Sequence, residues 1–377
     1  MKKDLNDLAT LVIGGGIGGM STAMCLRDLG VAVDLIDKDP EWRVTGAGIT
    51  VTRPTIRAVK ALGLLDDFLA VGFAGNGIQV CDVNGEPVAH LPDPELEEDL
   101  PGSGGVMRPE LHRIMSHRVR EKGTDVKLGC TADELHQNGD HVSVRFSDGR
   151  SKAYDFVIGA DGVFSHTRAT IFPDADGAEY TGQTVWRLYT PRPPKIDRRH
   201  FFLGGRYKIG LSPVSKTHMY MFLLEVGPKP PLIPDEQLHI RLRELMAGYG
   251  GVLADVRDSL NVDSVINVRP LEAFMLPAPW YQGRVLLVGD AAHPTTPQLA
   301  SGAGMAIEDG LVLSDELKKA QGDIAQTFAA FMARRYDRCR LVTQNSIEIG
   351  RREQAGWRPE EQTILVEQSL AKLAEPI

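Results

Sequence analysis

Cysteine is scarce in this chain: four residues in 377, Cys25, Cys81, Cys130 and Cys339, none of them in a Cys-x-x-Cys pair. That spacing excludes a zinc ribbon and a dithiol redox centre, and the four read as buried thiols. No HExxH sequence and no carboxylate cluster at ligand spacing is written, so no metal site is expected. Long apolar runs are missing too. The N-terminal MKKDLNDLATLVIGGG starts basic, but glycine cuts its apolar stretch short of a signal peptide or a membrane span. A cytosolic protein with no membrane partner is expected. Positive charge is in deficit, 42 Lys and Arg against 50 Asp and Glu for a net of −8. That removes the electrostatic footprint on which phosphate-backbone binding depends, and with it a nucleic-acid partner. A small ligand is expected instead.

What is present is ordinary globular material, 42% hydrophobic and 24% charged, with no repeat or biased tract. Single cores stop growing at roughly 250 to 300 residues, so a chain of 377 is expected to form about two domains. Leu11 to Ile13, glycines, a helical pattern from Ile17 to Leu29 and a β-branched run from Val31 to Ile36 spell a βαβ unit. Hairpins are expected at Gln79 to Leu91 around Asn84-Gly85, and between Val142 to Phe146 and Tyr154 to Ile158 around Asp148-Gly149. After the joints at Pro191, Pro193 and Pro194 come strand-like runs at Lys208 to Leu211 and Met219 to Glu225, then a helix from Glu236 to Ala247. A buried strand at Arg284 to Val288 and helices from Gly304 to Lys319 and Ile324 to Ile349 return the chain to its first domain. The expected fold is therefore α/β (α+β). A Rossmann-like domain, 1–74, 103–177 and 274–377, carries an inserted, mostly antiparallel sheet domain, 75–102 and 178–273, and ends in long helices.

Three motifs carry chemistry. Gly14-x-Gly16-x-x-Gly19 lies between a strand and a helix, with Asp37 closing the next strand. Glycines there permit a tight turn and close approach of a pyrophosphate, the helix N-terminus offers N–H groups to an anion, and the acidic residue suits ribose hydroxyls. NAD and FAD enzymes share this motif. The second is Asp155-Phe-Val-Ile-Gly159-Ala160-Asp161-Gly162, with Ser165 and Arg168 following and Asp161 and Arg168 offering a charged pair at the turn. The third is Gly283-Arg284-Val-Leu-Leu-Val-Gly289-Asp290-Ala291-Ala292-His293, followed by Pro297, Gly302, Gly304 and Ile307-Glu308-Asp309. Asp290 is placed to accept from a ribityl hydroxyl, and the small residues after it let backbone N–H groups face a flavin's pyrimidine edge.

In this order, across nearly the whole chain, the three segments resemble the group A flavoprotein monooxygenases, the family of para-hydroxybenzoate hydroxylase, salicylate hydroxylase and 6-hydroxynicotinate 3-monooxygenase. The resemblance implies non-covalent FAD. Its ADP half would lie on Gly14, Gly16, Ile17, Gly18, Gly19, Asp37 and Lys38, its ribityl and pyrophosphate region near Gly289 and Asp290, and its ring near Pro297, Gly302, Ala303 and Gly304. Asp161 and Gly162 would serve both FAD and the nicotinamide donor. Arg108 matches the arginine before the helix that lies along the flavin, and Arg43, ahead of Gly46-Ala47-Gly48, matches a position that touches the cofactor. One departure stands out: Ala300-Ser301-Gly302 replaces the family's Gly-Gln-Gly, which leaves a backbone role but no transferable side-chain role at position 301.

The resemblance further implies a cycle in which NADH or NADPH reduces FAD and a C4a-hydroperoxide, formed with O2, hydroxylates a small aromatic or N-heteroaromatic ring. No second GxGxxG is present, so the nicotinamide is expected to visit transiently. Substrate contacts are expected from the inserted sheet and the Pro297 loop. Arg187 reads as a carboxylate clamp or an inter-domain ion pair, and Tyr220 as a base, a hydrogen-bond donor or a core tyrosine. His218 reads as a base or a turn residue, and His293, beside the flavin loop, as a structural hydrogen-bonding group or a catalytic one. The Arg-rich stretch from Asp323 to Arg340 reads as a solvated helix packed on the FAD domain or as a membrane or partner face. A related flavoenzyme, an epoxidase or an NAD(P)H-dependent reductase, is the alternative. The Trp-x-Trp-x-Ile-Pro segment of halogenases finds no match at Trp42, Trp186, Trp280 or Trp357. The chain's end at Ile377 suits the compact branch of the family, as monomer or homodimer.

Overall fold

A computed structural model describes residues 3–44, 46–94, 96–356 and 359–377, so Trp357 lies outside it. Short, wholly apolar runs become parallel strands because helices cover both of their faces. Phe156–Gly159 and Val285–Leu287 are such runs; with the mostly apolar Ala9–Ile13, with Ala32–Asp37 and Asp125–Leu128, and with an antiparallel edge at Tyr281–Gln282 they form one six-stranded sheet. The helix Ile17–Asp28 follows the first strand and packs on Gly302–Lys319 so closely that a Cβ on Gly310 would stand 2.8 Å from the Thr22 nitrogen.

The expected hairpin around Asp148-Gly149 forms, but its second strand is Ser151–Tyr154 rather than Tyr154 to Ile158. The reason is chemical. Ser-Lys-Ala-Tyr suits a half-exposed hairpin, whereas Phe-Val-Ile-Gly is buried on both faces and belongs beside Ala9–Ile13. Asp155 divides the two: its N–H donates to Ala9 O at 2.8 Å and its Oδ2 accepts from Ala9 N at 2.9 Å.

Residues 78–91 and 179–273 contribute all strands of a seven-stranded sheet, ordered Val265–Ala273, Glu179–Pro191, His218–Val226, Lys208–Pro213, Arg199–Phe202, Ile78–Cys81 and Pro87–Leu91. Side chains alternate across it with period 2. Trp186, Leu188, Phe202, Ile209, Leu211, Met221 and Leu223 point to one face and form a core with the helices Asp235–Leu245 and Gly251–Ser259. Val185, Arg187, Tyr220, Phe222, Lys208, Arg199 and Phe201 occupy the other, which faces the parallel-sheet region across a cavity.

Candidate active site

That cavity has a volume of about 760 Å³ and extends from Gly16 to Gly18 at one end to the seven-stranded sheet at the other. Three turns meet there because their strands are neighbours: Ile13 pairs with Gly159, and Gly159 with Leu287. Each chain leaves the carboxyl end of a parallel strand, where open α/β sheets bind ligands.

The first turn is glycine for steric reasons. Gly14 has φ 106°, and a Cβ on it would stand 2.4 Å from Ala160 O; one on Gly19 would meet Gly14 O at 1.9 Å. Gly16 has open space instead, so something can approach its backbone. Asp37 Oδ2 accepts from Gly15 N at 2.7 Å and Oδ1 from Asp39 N at 2.8 Å. A contributor that local sequence reading missed is Trp42, held at φ 52°, whose Nε1 donates to Gly15 O at 2.9 Å from beneath the loop.

In the second turn, the expected Asp161–Arg168 pair is replaced by two separate jobs. Asp161 accepts from Ser165 Oγ (2.5 Å), Thr167 N (2.9 Å) and Thr167 Oγ1 (3.0 Å), fixing the start of the helix His166–Ile171. Arg168, buried, donates to Val163 O and Ala291 O, both at 2.8 Å, and so ties the second turn to the third. Backbone carbonyls from both turns converge on its guanidinium, leaving the Asp161 carboxylate to the helix end.

The third turn presents Asp290. Its side chain is exposed to the cavity, and its carboxylate makes no hydrogen bond to any described residue. Enclosure raises its pKa, partly offset by Arg108 and His293. Behind it lies a buried ion network. Asp309 Oδ2 accepts from His293 Nε2 and Gly289 N, both at 2.8 Å, and Oδ1 accepts from Arg335 Nε at 2.8 Å. Arg335 and Arg338 share Glu308. Burial alone would lower the His293 pKa, but Cys339 and Asp309 raise it well above the ordinary value. His293, Asp309 and Cys339 bring potential metal donors within 4.8 Å of one another. Both Asp309 oxygens are nevertheless occupied, and the Arg335 cation stands 3.3 Å from Cys339 Sγ, so the set works as an ion network. The arginines of the helix Ile324–Gln354 that carry this network face inward, contrary to a solvated face.

Along the Pro297–Ser301 segment, Ala300 adopts φ 49°, a left-handed conformation in which glycine is least strained. Ser301 turns its hydroxyl back to Leu299 O at 2.8 Å, leaving its backbone to the cavity. Pro297, Gly302 and Ala303 line the same wall, with Gly162, Gly289 and Arg108 close by. Gly304 instead packs on Thr55, and Gly48 on Tyr220. Gly14, Gly19, Asp37, Lys38, Asp161 and Arg43 lie outside the lining; Arg43 pairs with Asp39 and Glu41 at 3.6 and 3.2 Å. His218 is also outside, stacked on Tyr189 with ring centroids 4.6 Å apart. Arg187 and Tyr220 do line the cavity, and Tyr220 OH meets Thr50 Oγ1 at 2.9 Å.

The FAD binding domain family model matches residues 7–345. Bacillus subtilis YetM, named an FAD-dependent monooxygenase, is 31% identical over 348 residues, covering 92% of this chain and 94% of that one. The 3-amino-4-hydroxybenzoate 2-monooxygenase of Streptomyces cremeus is 32% identical over 311 residues, 80% of this chain and 77% of the other. The chain belongs to the FAD-dependent aromatic monooxygenases. Its fold agrees: Klebsiella pneumoniae HpxO, solved with FAD and uric acid, superposes with a TM-score of 0.82 at 25% identity, covering 98% of this chain and 93% of that one.

For a flavoprotein monooxygenase the open groups are of the right kind. Gly16 leaves room at the N-terminus of Ile17–Asp28, where unpaired N–H groups suit a pyrophosphate. The unpartnered Asp290 suits a polyol hydroxyl, and the small residues at 300–303 leave a flat wall. No described helix is long and apolar enough to cross a membrane.

Proposed function

We propose that this monooxygenase uses NADH or NADPH and O2 to hydroxylate a small, anionic aromatic or N-heteroaromatic ring, in the cytosol. Residues 1–74, 103–177 and 274–377 would hold FAD, and 75–102 and 178–273 the substrate. The observation that carries the reading is Arg187. It points into the cavity with no hydrogen bond or ion pair to any described residue. Burial, helped by Arg108 and Arg269 against Tyr220, presses its pKa down. Three other lining cations have carboxylates: Arg199 has Asp93, Lys208 has Glu353 and Lys229 has Glu272. Arg108, Arg187 and Arg269 have none, with Asp290 the unmatched anion facing them. A chain of net charge −8 thus encloses a positive cavity, which draws in an anion. An aminohydroxybenzoate and uric acid, named for the relatives above, are both acidic rings.

Bound FAD supplies the redox and oxygen chemistry. The protein's share is positional. Arg187 would hold the substrate's anionic group, Tyr220 would donate to or accept from a ring oxygen, and the apolar walls would exclude water. Asp290 would accept from the cofactor's polyol chain. Asp290→Ala is therefore expected to weaken FAD binding about tenfold or more, the loss of a hydrogen bond to a charged acceptor. Because Asp290 is exposed to the open cavity and bonds to no described residue, its removal should leave the apoprotein about as stable. Flavin retention on gel filtration and apoprotein melting check both parts.

The reading is tested by NADH and NADPH oxidation with parallel O2 uptake across salicylate, hydroxybenzoates, hydroxynicotinates, dihydroxypyridines and urate. Oxidation stimulated by one acidic ring, with O2 consumed and little peroxide, is expected. NAD(P)H oxidation indifferent to every ring and to O2 would replace the hydroxylase with a reductase.

A further inference from the structure

Gly14, Gly15 and Gly16 stand in a row, and glycine is the residue with the most backbone freedom to lose on folding. Left to itself such a turn would be ordered by its ligand, and the ligand's affinity would carry that cost. Here the middle glycine is held on both sides. Its N–H donates to Asp37 Oδ2 at 2.7 Å, and its carbonyl accepts from Trp42 Nε1 at 2.9 Å. The second contact also explains why position 15, which the spacing of the glycine motif leaves open, is glycine. No positive φ calls for glycine there, but a Cβ would stand 2.2 Å from Trp42 Nε1 and 2.7 Å from its Cε2. The indole occupies the place of the missing side chain.

Trp42 is held in its turn. Its backbone is left-handed, with φ 52°, a conformation that a residue with a Cβ keeps only where its surroundings fix it. Those surroundings come from the helix Arg108–Glu121. The buried His112 meets the indole at right angles, ring centroids 5.3 Å apart, and the Arg120 guanidinium lies over it, 4.6 Å from the centroid, where the ring attracts a cation.

The consequence falls on the next residue. In a trans peptide the carbonyl and the following N–H point in opposite directions. Because the Gly15 carbonyl is drawn onto the indole, the Gly16 N–H points away from it. That N–H bonds to no described residue, Gly16 lines the cavity, and nothing stands within 4 Å of where its Cβ would be. Gly16 is also the N-cap of Ile17–Asp28, at the positive end of the helix dipole.

We propose that Trp42 is a positioning residue for the cofactor: by holding the Gly15 carbonyl, its indole N–H orders the glycine turn before FAD arrives and keeps the Gly16 N–H free to donate to an anionic phosphate group. The role concerns the pyrophosphate, and it is independent of the ring substrate and of turnover.

Trp42→Phe keeps an aromatic ring and removes the N–H. Equilibrium dialysis of the FAD-loaded protein is expected to show FAD held about tenfold more weakly, the worth of roughly one hydrogen bond. The ³¹P resonances of bound FAD should move toward those of free FAD while the visible absorbance of the flavin ring stays as in the wild type, because only the phosphate end loses a fixed donor. Gly15→Ala, which displaces the indole, should weaken binding to a similar degree, and the double variant should be little worse than either, since both changes remove one contact. Wild-type retention of FAD in Trp42→Phe would refute the role, as would additive losses in the double variant. A tenfold loss with unmoved ³¹P resonances, or with the ring's absorbance altered, would refute it too and make Trp42 a packing residue. If Trp42→Phe does not load FAD, the same ³¹P and absorbance readings on Gly15→Ala decide the matter.

Discussion

Arg187→Met is expected to leave a folded, FAD-loaded protein whose affinity for an anionic ring falls roughly 30- to 100-fold, the loss of a charge-assisted hydrogen bond in an enclosed site. Stability should hold or rise, because the native residue is an enclosed cation with no partner among the described residues, and methionine keeps most of its apolar volume. Ligand titrations with benzoate and benzamide separate charge from packing. Benzoate should lose the affinity and benzamide should be nearly indifferent. An equal loss for both would mean that Arg187 shapes the cavity without recognising charge.

Arg335→Met is expected to have the opposite profile. Arg335 is fully buried and holds Asp309 at 2.8 Å and Glu308 at 2.6 Å between the helices Gly302–Lys319 and Ile324–Gln354. Removing one member of a buried ion network while leaving the others costs roughly 3 to 5 kcal/mol, on the order of 10 °C in melting temperature. Arg335→Lys, which retains the charge, should lose less. Because Asp309 also accepts from Gly289 N, FAD release should precede global unfolding in the methionine variant. Thermal scans read by flavin fluorescence and by far-UV circular dichroism would show the order. Coincident, wild-type-like transitions would contradict the role given to Arg335.

The three turns were legible in the sequence because their demands are local. Gly14 and Gly19 must be glycine since a backbone carbonyl stands where a Cβ would be, and such constraints act within a few residues or on a neighbouring strand. The apolar run from Met219 to Glu225 likewise marked a strand, but a run without alternation does not say which face Tyr220 takes. Groups that join distant positions were not legible. Arg168 bonds to Ala291, 123 residues away, and the Asp161–Arg168 pairing suggested by proximity in sequence does not form. Glu308 and Asp309 were visible as part of a motif, but their partners Arg335 and Arg338 looked like solvent-facing charges on an amphipathic helix. Composition cannot say which face of such a helix is buried. Arg199 gave no local signal, since what distinguishes it is a buried Nε without an acceptor, which exists only after the sheet has formed.

The central claim is that one atom of O2 reaches an acidic ring held on Arg187. It is tested most directly by turnover under ¹⁸O2 with whichever ring stimulates NAD(P)H oxidation, followed by mass spectrometry of the product. One ¹⁸O atom in the hydroxylated ring is the expected result. Unlabelled product, or label recovered only as hydrogen peroxide while the ring stays unchanged, would contradict the account.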